Sequence, residues 1–261
     1  MWVEGEREIT ISHNEITNVP YYGIRCQRSL FSKLCICRIT GPMEHGADYS
    51  GGYVFNVDYN HIYNYGGDIL SDFGGVYITS NYKCDGASED ELIKHCYTHA
   101  RVFNNWLENS EAFANGAGYL YSDVSASGTR FEKNILRGRG EEALYHHCGL
   151  DNESVNNVIH RTGSSSFKMV WAGCEKGNPN RHQRYTNRHN IYLFDNLEGG
   201  MSMGRSWDRY YDEAPQFHHN LYWSAEQNAE TAAIFPWKKT WLEWKESGND
   251  TDSLWTDPLF R

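Results

Sequence analysis

The chain has 261 residues, enough for one domain with a buried core, and we expect no second domain. Hydrophobic residues make up 39%, aromatic residues make up 15%, and the mean hydropathy is −0.69, which excludes a membrane protein and a disordered chain. The formal net charge of −10 disfavours nucleic acid, whose phosphates would be repelled, and also strongly acidic glycans. We therefore expect a soluble, folded protein with a neutral or weakly charged partner.

A short phrase recurs along the chain and gives the first structural prediction. It consists of an Asn, any residue, and a large apolar residue. Its copies begin at Asn14, Asn60, Asn105, Asn134, Asn157, Asn190 and Asn220. After four of these asparagines, a small residue opens a short alternating segment at the same distance of nine residues, at Gly23, Ala143, Ser166 and Gly199. Such a fixed distance is typical of a repeat architecture.

The repeat predicts an all-β chain that winds as a right-handed parallel β-helix, a solenoid of stacked coils. Each coil would contain one strand near the Asn, a turn, and a second strand that begins at the small residue. Equivalent residues of successive coils would lie about 4.7–4.9 Å apart. An inward Asn could then bond to the backbone of a neighbouring coil, and the apolar residue two positions later would fill the core. In the alternative, a β-sandwich with Asn in ordinary turns, the distance to the next strand would not be fixed.

The two ends of the chain differ in character. We assign residues 1–225 to the coils and residues 226–261 to a C-terminal cap in the same domain. Residues 236–248 predict a short capping helix that places Trp237, Trp241 and Trp244 on one face and covers the open end of the solenoid. The amino end has no comparable cap, so we expect another subunit or a preceding segment to cover the first coil.

The seven cysteines are an odd number, so at least one is unpaired within the chain. Cys84 and Cys96 flank a polar segment and could close a loop through a disulfide. Cys35 and Cys37 alternate as in a strand and lack the spacing of a zinc site. We predict mainly buried thiols, no bound metal and no cofactor. Residues 1–6 lack the basic start and apolar stretch of a signal peptide, although we favour an extracellular or secretory location.

Three segments in the middle of the chain, residues 70–77, 118–128 and 143–152, carry a family resemblance. In this order they are similar to the phrases LSDGGGIY, GIYLDDGSSG and QHYGKDN of β-helical glycoside hydrolases. That group contains xylosidases, xylanases and fucosidases of the pectate-lyase-like superfamily. Residues 241–260 also resemble the close of such proteins, so the resemblance covers most of residues 55–260. It implies a glycoside hydrolase that uses paired carboxylates in a groove along the β-helix, with an oligo- or polysaccharide as its partner.

The resemblance implies an acid at Asp123, which we expect at a strand end facing solvent, and another at Asp72. Alignment of the strands by their opening small residues places His147 level with Asp123, and Ser80 level with it one strand earlier. Ser122 departs from the family, because it stands where the first acid of an Asp-Asp pair is expected. A histidine can transfer a proton but cannot replace a carboxylate nucleophile.

We name Asp123, Asp72, His147 and His146 as catalytic candidates. A second carboxylate could also come from Glu44, Asp68, Asp85, Glu141 or Glu142, and the spacing does not choose among them. Each candidate has a structural alternative: Asp72 before two glycines suits an Asx turn, and at most one of the two adjacent histidines can face the groove. A zinc site at these histidines would lack a third ligand at a suitable spacing.

Aromatic residues are the second set of candidates. Tyr77, Tyr121 and Tyr145 lie in the same three segments, and flat rings can pack against the C–H faces of sugars. We predict that they bind substrate together with Glu142, although alternation sends only some of these tyrosines outward.

Two other functions fit the same sequence. One is a non-catalytic β-helix that binds glycan or serves in assembly. The other is a polysaccharide lyase, for which Arg137 or Arg139 would be the base. The acidic net charge disfavours the lyase, since its substrate is a uronate. None of the three functions involves nucleic acid or a membrane.

Overall fold

The computed structural model describes residues 2–3, 8–17, 24–26, 37–40, 54–65, 74–79, 90, 97–110, 118–123, 126–139, 142–162, 168–173, 184–195, 200–203 and 216–259. These residues form three sheets, A, B and C, in which all neighbouring strands are parallel. In the described part of the chain, no helix is long and apolar enough to cross a membrane.

Each sheet is a stack of short strands. Sheet A contains β1 (Trp2–Val3), β4 (Ile24–Cys26), β5 (Cys37–Thr40), β8 (Gly74–Thr79), β11 (Gly118–Asp123), β14 (Glu142–His147), β17 (Lys168–Gly173) and β20 (Met201–Met203). Sheet B contains β2 (Glu8–Ser12), β6 (Val54–Asp58), β9 (Arg101–Phe103), β12 (Arg130–Glu132), β15 (Asn152–Val155), β18 (Tyr185–Arg188) and β21 (Gln216–His218). Sheet C contains β3 (Glu15–Thr17), β7 (His61–Tyr65), β10 (Trp106–Ser110), β13 (Ile135–Gly138), β16 (Val158–Arg161), β19 (Ile191–Phe194), β22 (Leu221–Ser224) and β23 (Leu254–Trp255).

The chain visits the sheets in a repeating order of B, C and A. Thus β9, β10 and β11 form one coil, and β12, β13 and β14 form the next. This arrangement is all-β with stacked parallel sheets and is compatible with a parallel β-solenoid, as the repeat predicted. The predicted coil of two strands was wrong, because each coil has a third strand, which lies in sheet B just before the Asn.

Every Asn of the repeat lies in a turn of two residues that joins sheet B to sheet C. The residue before each of these asparagines has a positive φ, between 52° and 57°, although none of these residues is a glycine. Such a conformation costs an ordinary residue about 1–2 kcal/mol. The cost recurs in every coil, so the side chain of the following Asn must offset it.

Hydrogen bonds along the stack supply this compensation. The backbone N–H of Asn134 and its side-chain Nδ2 both donate to Oδ1 of Asn157, at 2.9 and 3.0 Å, and Nδ2 also donates to the Val102 carbonyl. The same pattern runs from Asn14 to Asn220. There Ser253 takes the place of a further Asn, with its Oγ accepting from the Asn220 N–H at 2.6 Å. The predicted bonding of inward asparagines to neighbouring coils is confirmed.

The core lies between the three sheets. The apolar residues two positions after the asparagines are fully buried and in register along sheet C. They are Ile62, Leu107, Leu136, Ile159, Tyr192 and Tyr222. This position was predicted to fill the core, and burial of each such side chain stabilises the fold by about 1.5–3 kcal/mol.

The C-terminal cap differs in detail from its prediction. A 3-10 turn spans Pro236–Lys238, and the α-helix is confined to Trp241–Glu246. Thr240 and Glu243 cap this helix reciprocally in a capping box, which fixes its start. The helix buries Trp241 and Trp244, whereas Trp237 is 57% exposed, so the prediction of three tryptophans on one packed face was wrong.

The cap packs on the last coil. The ring of Trp241 lies 5.2 Å from that of Tyr222, and the ring of Trp244 lies 6.4 Å from that of Phe217. After the helix, β23 returns to the solenoid and pairs with β22. Residues 226–261 therefore contribute a strand of sheet C as well as a short helix.

Candidate active site

The outer face of sheet A carries the predicted residues that the structure brings together. In β14, His146 is buried, while Tyr145 and His147 are partly exposed. The His146 ring lies among core aromatics, 5.0 Å from the Phe131 ring and 4.4 Å from the Tyr185 ring. Because successive side chains of a strand point to opposite faces, Tyr145 and His147 lie on the outer face.

Asp123 ends β11 and lies beside His147 of the next coil. The strand register pairs Ser122 with His146, so the following residues are level, and Nδ1 of His147 is 2.7 Å from Oδ1 of Asp123. The Tyr77 hydroxyl donates a hydrogen bond to the other carboxylate oxygen, Oδ2. The predicted proximity of Asp123 and His147 is confirmed.

Two details of this prediction were wrong. Asp123 does lie at a strand end, but it is only 2% exposed, because Tyr77 and His147 contact both of its oxygens. The residue of β8 level with Asp123 is Thr79, rather than Ser80, since the sheet pairs Gly74 with Gly118. Ser80 itself lies outside the described residues.

The geometry suits proton transfer at His147. A buried carboxylate that binds Nδ1 fixes the orientation of the ring and stabilises its protonated form. Because Asp123 binds Nδ1, Nε2 is the ring nitrogen on the side away from this carboxylate. The side chain of His147 is 23% exposed, so the imidazole connects the buried Asp123 to the surface.

A column of aromatic rings runs along the same face. Tyr77, Tyr121, Tyr145 and Trp171 are in register on β8, β11, β14 and β17, with successive ring centroids 4.7, 4.3 and 4.2 Å apart. Tyr77 and Tyr121 are buried, at 0% and 3% exposure, whereas Tyr145 and Trp171 are partly exposed. Tyr145 and Trp171 lie nearly parallel, at an angle of 7°. They therefore form the accessible end of the column, on the side of His147.

The sequence reasoning missed Trp171. Tyr145 lies eleven residues after Asn134, and the residue eleven positions after Asn157 is Lys168. The structure pairs Tyr145 with Trp171 instead, so the repeat alone gave no signal for this residue. Its ring is 5.8 Å from that of His147, so Trp171 borders the candidate site directly.

Other predicted residues lie elsewhere. Glu142 begins β14, five residues before His147, and a strand rises about 3.3 Å per residue, so the two side chains are well separated. Glu142 is buried, and Lys168 Nζ lies 3.2 Å from its Oε1. Burial lowers the pKa of His146 to about 3, which keeps this ring neutral within the core. The structure therefore does not place Glu142 or His146 beside Asp123.

Several candidates lie outside the described residues, namely Asp72, Glu44, Asp68, Asp85 and Glu141, and so do Cys84 and Cys96. Cys148, which directly follows His147, is buried and disulfide-bonded. Within the described ranges, no three His, Cys, Asp or Glu side chains form a group that could bind a metal ion.

No known protein identifies the function of this site. Protein-family models, curated proteins and solved structures were all searched, and none matched the chain.

Proposed function

We propose that this chain is a right-handed parallel β-helix of the pectate-lyase-like superfamily that hydrolyses a neutral or weakly charged glycan on the outer face of sheet A. The observation that carries this proposal is the contact between Asp123 and His147 beside a column of rings. A proton-transfer group and a flat aromatic surface are the two features that a glycan-cleaving site needs.

In this proposal His147 transfers the proton. Nε2 of the ring exchanges a proton with the substrate or with a water molecule. Asp123 holds the imidazole through Nδ1 and offsets the positive charge that protonation creates. Tyr77 fixes the second carboxylate oxygen, so the carboxylate keeps one orientation. When His147 takes the proton of an attacking water, the leaving oxygen must receive a proton from a second group. We assign this role to the second carboxylate that the resemblance implies, for which Asp72 is the candidate.

The aromatic rings of the site and the net charge of the chain indicate the substrate class. Tyr145 and Trp171 offer exposed, nearly parallel rings onto which a sugar can pack its C–H face. The net charge of −10 opposes binding of polyuronates or sulfated chains. Neutral or weakly charged polysaccharides therefore fit best.

The direct test measures reducing-sugar release from neutral polysaccharides such as xylans, glucans and mannans. Asp123→Asn and His147→Gln should each lower the rate at least about a hundredfold, the usual size of a lost general acid or base. Trp106→Ala removes an exposed tryptophan from sheet C and serves as the matched control, with an unchanged rate. Full activity in both site variants would exclude the proposed mechanism.

A second candidate is a non-catalytic glycan-binding protein. The deep burial of Asp123 favours it, because a buried carboxylate cannot contact a sugar directly. In that case oligosaccharides would bind at Trp171 without any product, and Asp123→Asn would leave binding intact. A lyase would instead cleave a polyuronate such as polygalacturonate by elimination, and its unsaturated products would absorb in the ultraviolet.

The disulfide at Cys148 bears on location. Disulfides persist mainly in oxidising compartments, which supports an extracellular or secretory protein. An extracellular or secretory protein would encounter a polysaccharide substrate in the same compartments.

A further inference from the structure

A cleft of about 640 Å³ lies at the carboxyl end of the solenoid, away from the candidate active site. It lies four coils beyond Asp123, about 19 Å along the stack at the spacing of paired strands, and it belongs to sheet C rather than sheet A. Trp223 of β22, Trp255 of β23 and residues 224–230 line it. Its volume is in the range of small-ligand sites.

The two tryptophans are held by the solenoid. Trp223 lies on the outer face of β22, because Tyr222 and Ser224 on either side are buried. Trp255 packs its ring edgewise against the ring of Phe194, with centroids 5.6 Å apart. Both tryptophans are partly exposed and line the cleft. They lie on opposite faces of sheet C, because Trp255 pairs with Tyr222, whose side chain is buried in the core.

The loop that forms the rest of the cleft is folded by its own side chains. Ser224 Oγ accepts the backbone N–H groups of Glu226 and Gln227, at 3.1 and 3.0 Å. Asn228 Oδ1 accepts the N–H groups of Glu230 and Thr231, at 3.0 and 3.1 Å. These bonds hold the loop in one shape before any ligand arrives, which lowers the entropic cost of binding.

The lining combines two kinds of surface. Indole rings pack against apolar C–H faces, and the carboxylates of Glu226 and Glu230 can accept hydrogen bonds from hydroxyl groups. A saccharide presents both surfaces at once. The two carboxylates repel an acidic sugar, so the ligand that fits is uncharged.

We infer that this cleft is a second saccharide-binding site, in which a neutral oligosaccharide packs a sugar ring on Trp223 while Trp255 lines the cleft beside it. The inference stands on the cleft alone and does not require cleavage at Asp123. If the active site acts on a polymer, the cleft holds a distant part of the same chain or of a neighbouring one.

The test titrates neutral trisaccharides, namely xylotriose, cellotriose, mannotriose and N-acetylchitotriose, and follows the heat of binding. It is performed on Trp171→Ala, which removes the exposed end of the ring column and so weakens binding at the sheet A site. At least one trisaccharide should bind, and the further change Trp223→Ala should weaken this binding at least about tenfold. Trp106→Ala, an exposed tryptophan of the same sheet, should leave the affinity unchanged.

Additional variants keep the result clear. Glu230→Gln alters only an exposed side chain, and it should allow trigalacturonate to bind more tightly than the parent does. Thermal unfolding of each variant shows whether the cap is still folded. The inference is overturned if no trisaccharide binds or if Trp223→Ala binds as tightly as its parent. Asp123→Asn distinguishes the two proposals, since it should abolish cleavage and leave cleft binding intact.

Discussion

The corner between sheets B and C and the corner between sheets A and B are built in opposite ways. At the first, two residues join the strands in every described coil, and the second of them is an Asn. At the second, the connection varies widely: residues 148–151 link β14 to β15, whereas residues 174–184 link β17 to β18. The constant corner specifies the stack, and the variable one leaves room for function, as loops on a rigid scaffold commonly do. Asp123 and His147 both lie at strand ends that open onto the variable corner.

The largest expected effect comes from breaking the constant corner. Asn134→Ala removes the acceptor for Asn105 and the donors to Val102 and Asn157, and it leaves several buried polar groups unpaired. Each such group costs about 1–3 kcal/mol, so we expect the free energy of unfolding to fall by at least about 3 kcal/mol. Urea unfolding measures the loss. Asn14→Ala, at the end of the stack, should lower the free energy of unfolding by less. Equal losses would show that burial of Asn134 in the middle of the stack does not increase the cost of its removal.

The second-largest expected effect is a pH dependence of the free energy of unfolding, which distinguishes the inner face of β14 from its outer face. Burial lowers the pKa of His146 to about 3, while the unfolded chain binds this proton near pH 6.5. The contribution of neutral His146 to the free energy of unfolding is therefore fully present above pH 6.5. It is lost progressively as the pH falls from 6.5 toward 3. Between pH 7 and pH 5 this one group should remove about 2 kcal/mol.

Urea unfolding of the wild type and of His146→Gln at these two pH values tests this prediction. The variant cannot be protonated and should lose about 2 kcal/mol less on acidification. His147→Gln, on the partly exposed outer face, should not reduce the loss of stability on acidification. A wild type and a His146→Gln protein with the same pH dependence would show that the buried ring is protonated in the folded state.

A smaller effect is expected at the exposed end of the ring column. Trp171→Ala removes a surface that stacks on Tyr145 at 4.2 Å, and we expect it to weaken glycan binding at the sheet A site about tenfold, equivalent to about 1.4 kcal/mol. Isothermal titration of Trp223→Ala and of the double variant Trp223→Ala with Trp171→Ala measures this site without the C-terminal cleft. Unchanged affinity would exclude Trp171 from the binding surface.

The smallest effect strengthens the constant corner. Lys133 precedes Asn134 with a φ of 55° and is exposed. Lys133→Gly therefore relieves a strained conformation, and it removes only the ion pair in which Lys133 Nζ lies 3.9 Å from Glu132 Oε1. We expect a net gain of up to about 1 kcal/mol in the free energy of unfolding. Arg137→Gly is the control, because the Arg137 side chain is also exposed, lies 3.9 Å from Glu108 Oε1 and belongs to the regular strand β13. It should instead be destabilising. A loss at Lys133 would mean that the conformation carries little strain.

The sequence made the sheet C side of the fold predictable because one residue type marks it in every coil. The strands of sheet B were missed because they are short and no small residue announces them; β12, for example, has only three residues. The helix was predicted too long because tryptophan periodicity suggested its length, whereas the capping box at Thr240 sets its start.

For the site, alternation and register paired Asp123 with His147 without any coordinates. Ser80 was predicted to be level with Asp123 in place of Thr79. The error arose because two glycines, Gly74 and Gly75, stand at the start of β8, and either can be taken as its first residue. The burial of Asp123 could not be predicted, because alternation gives the face of a side chain but not what covers that face. It depends on the hydroxyl of Tyr77, which reaches from β8 to the carboxylate at the end of the neighbouring strand β11, and such a contact is a property of packing.

The row of stacked asparagines ends at the hydroxyl of Ser253. This hydroxyl accepts a hydrogen bond from the Asn220 backbone N–H, but a serine has no side-chain amide with which to repeat the asparagine pattern. Because this terminus is independent of the number of coils beneath it, the length of the molecule is set by how often the unit is repeated. Tandem duplication of residues 134–156 would add one coil and lengthen the rod by about 4.8 Å, with both ends unchanged.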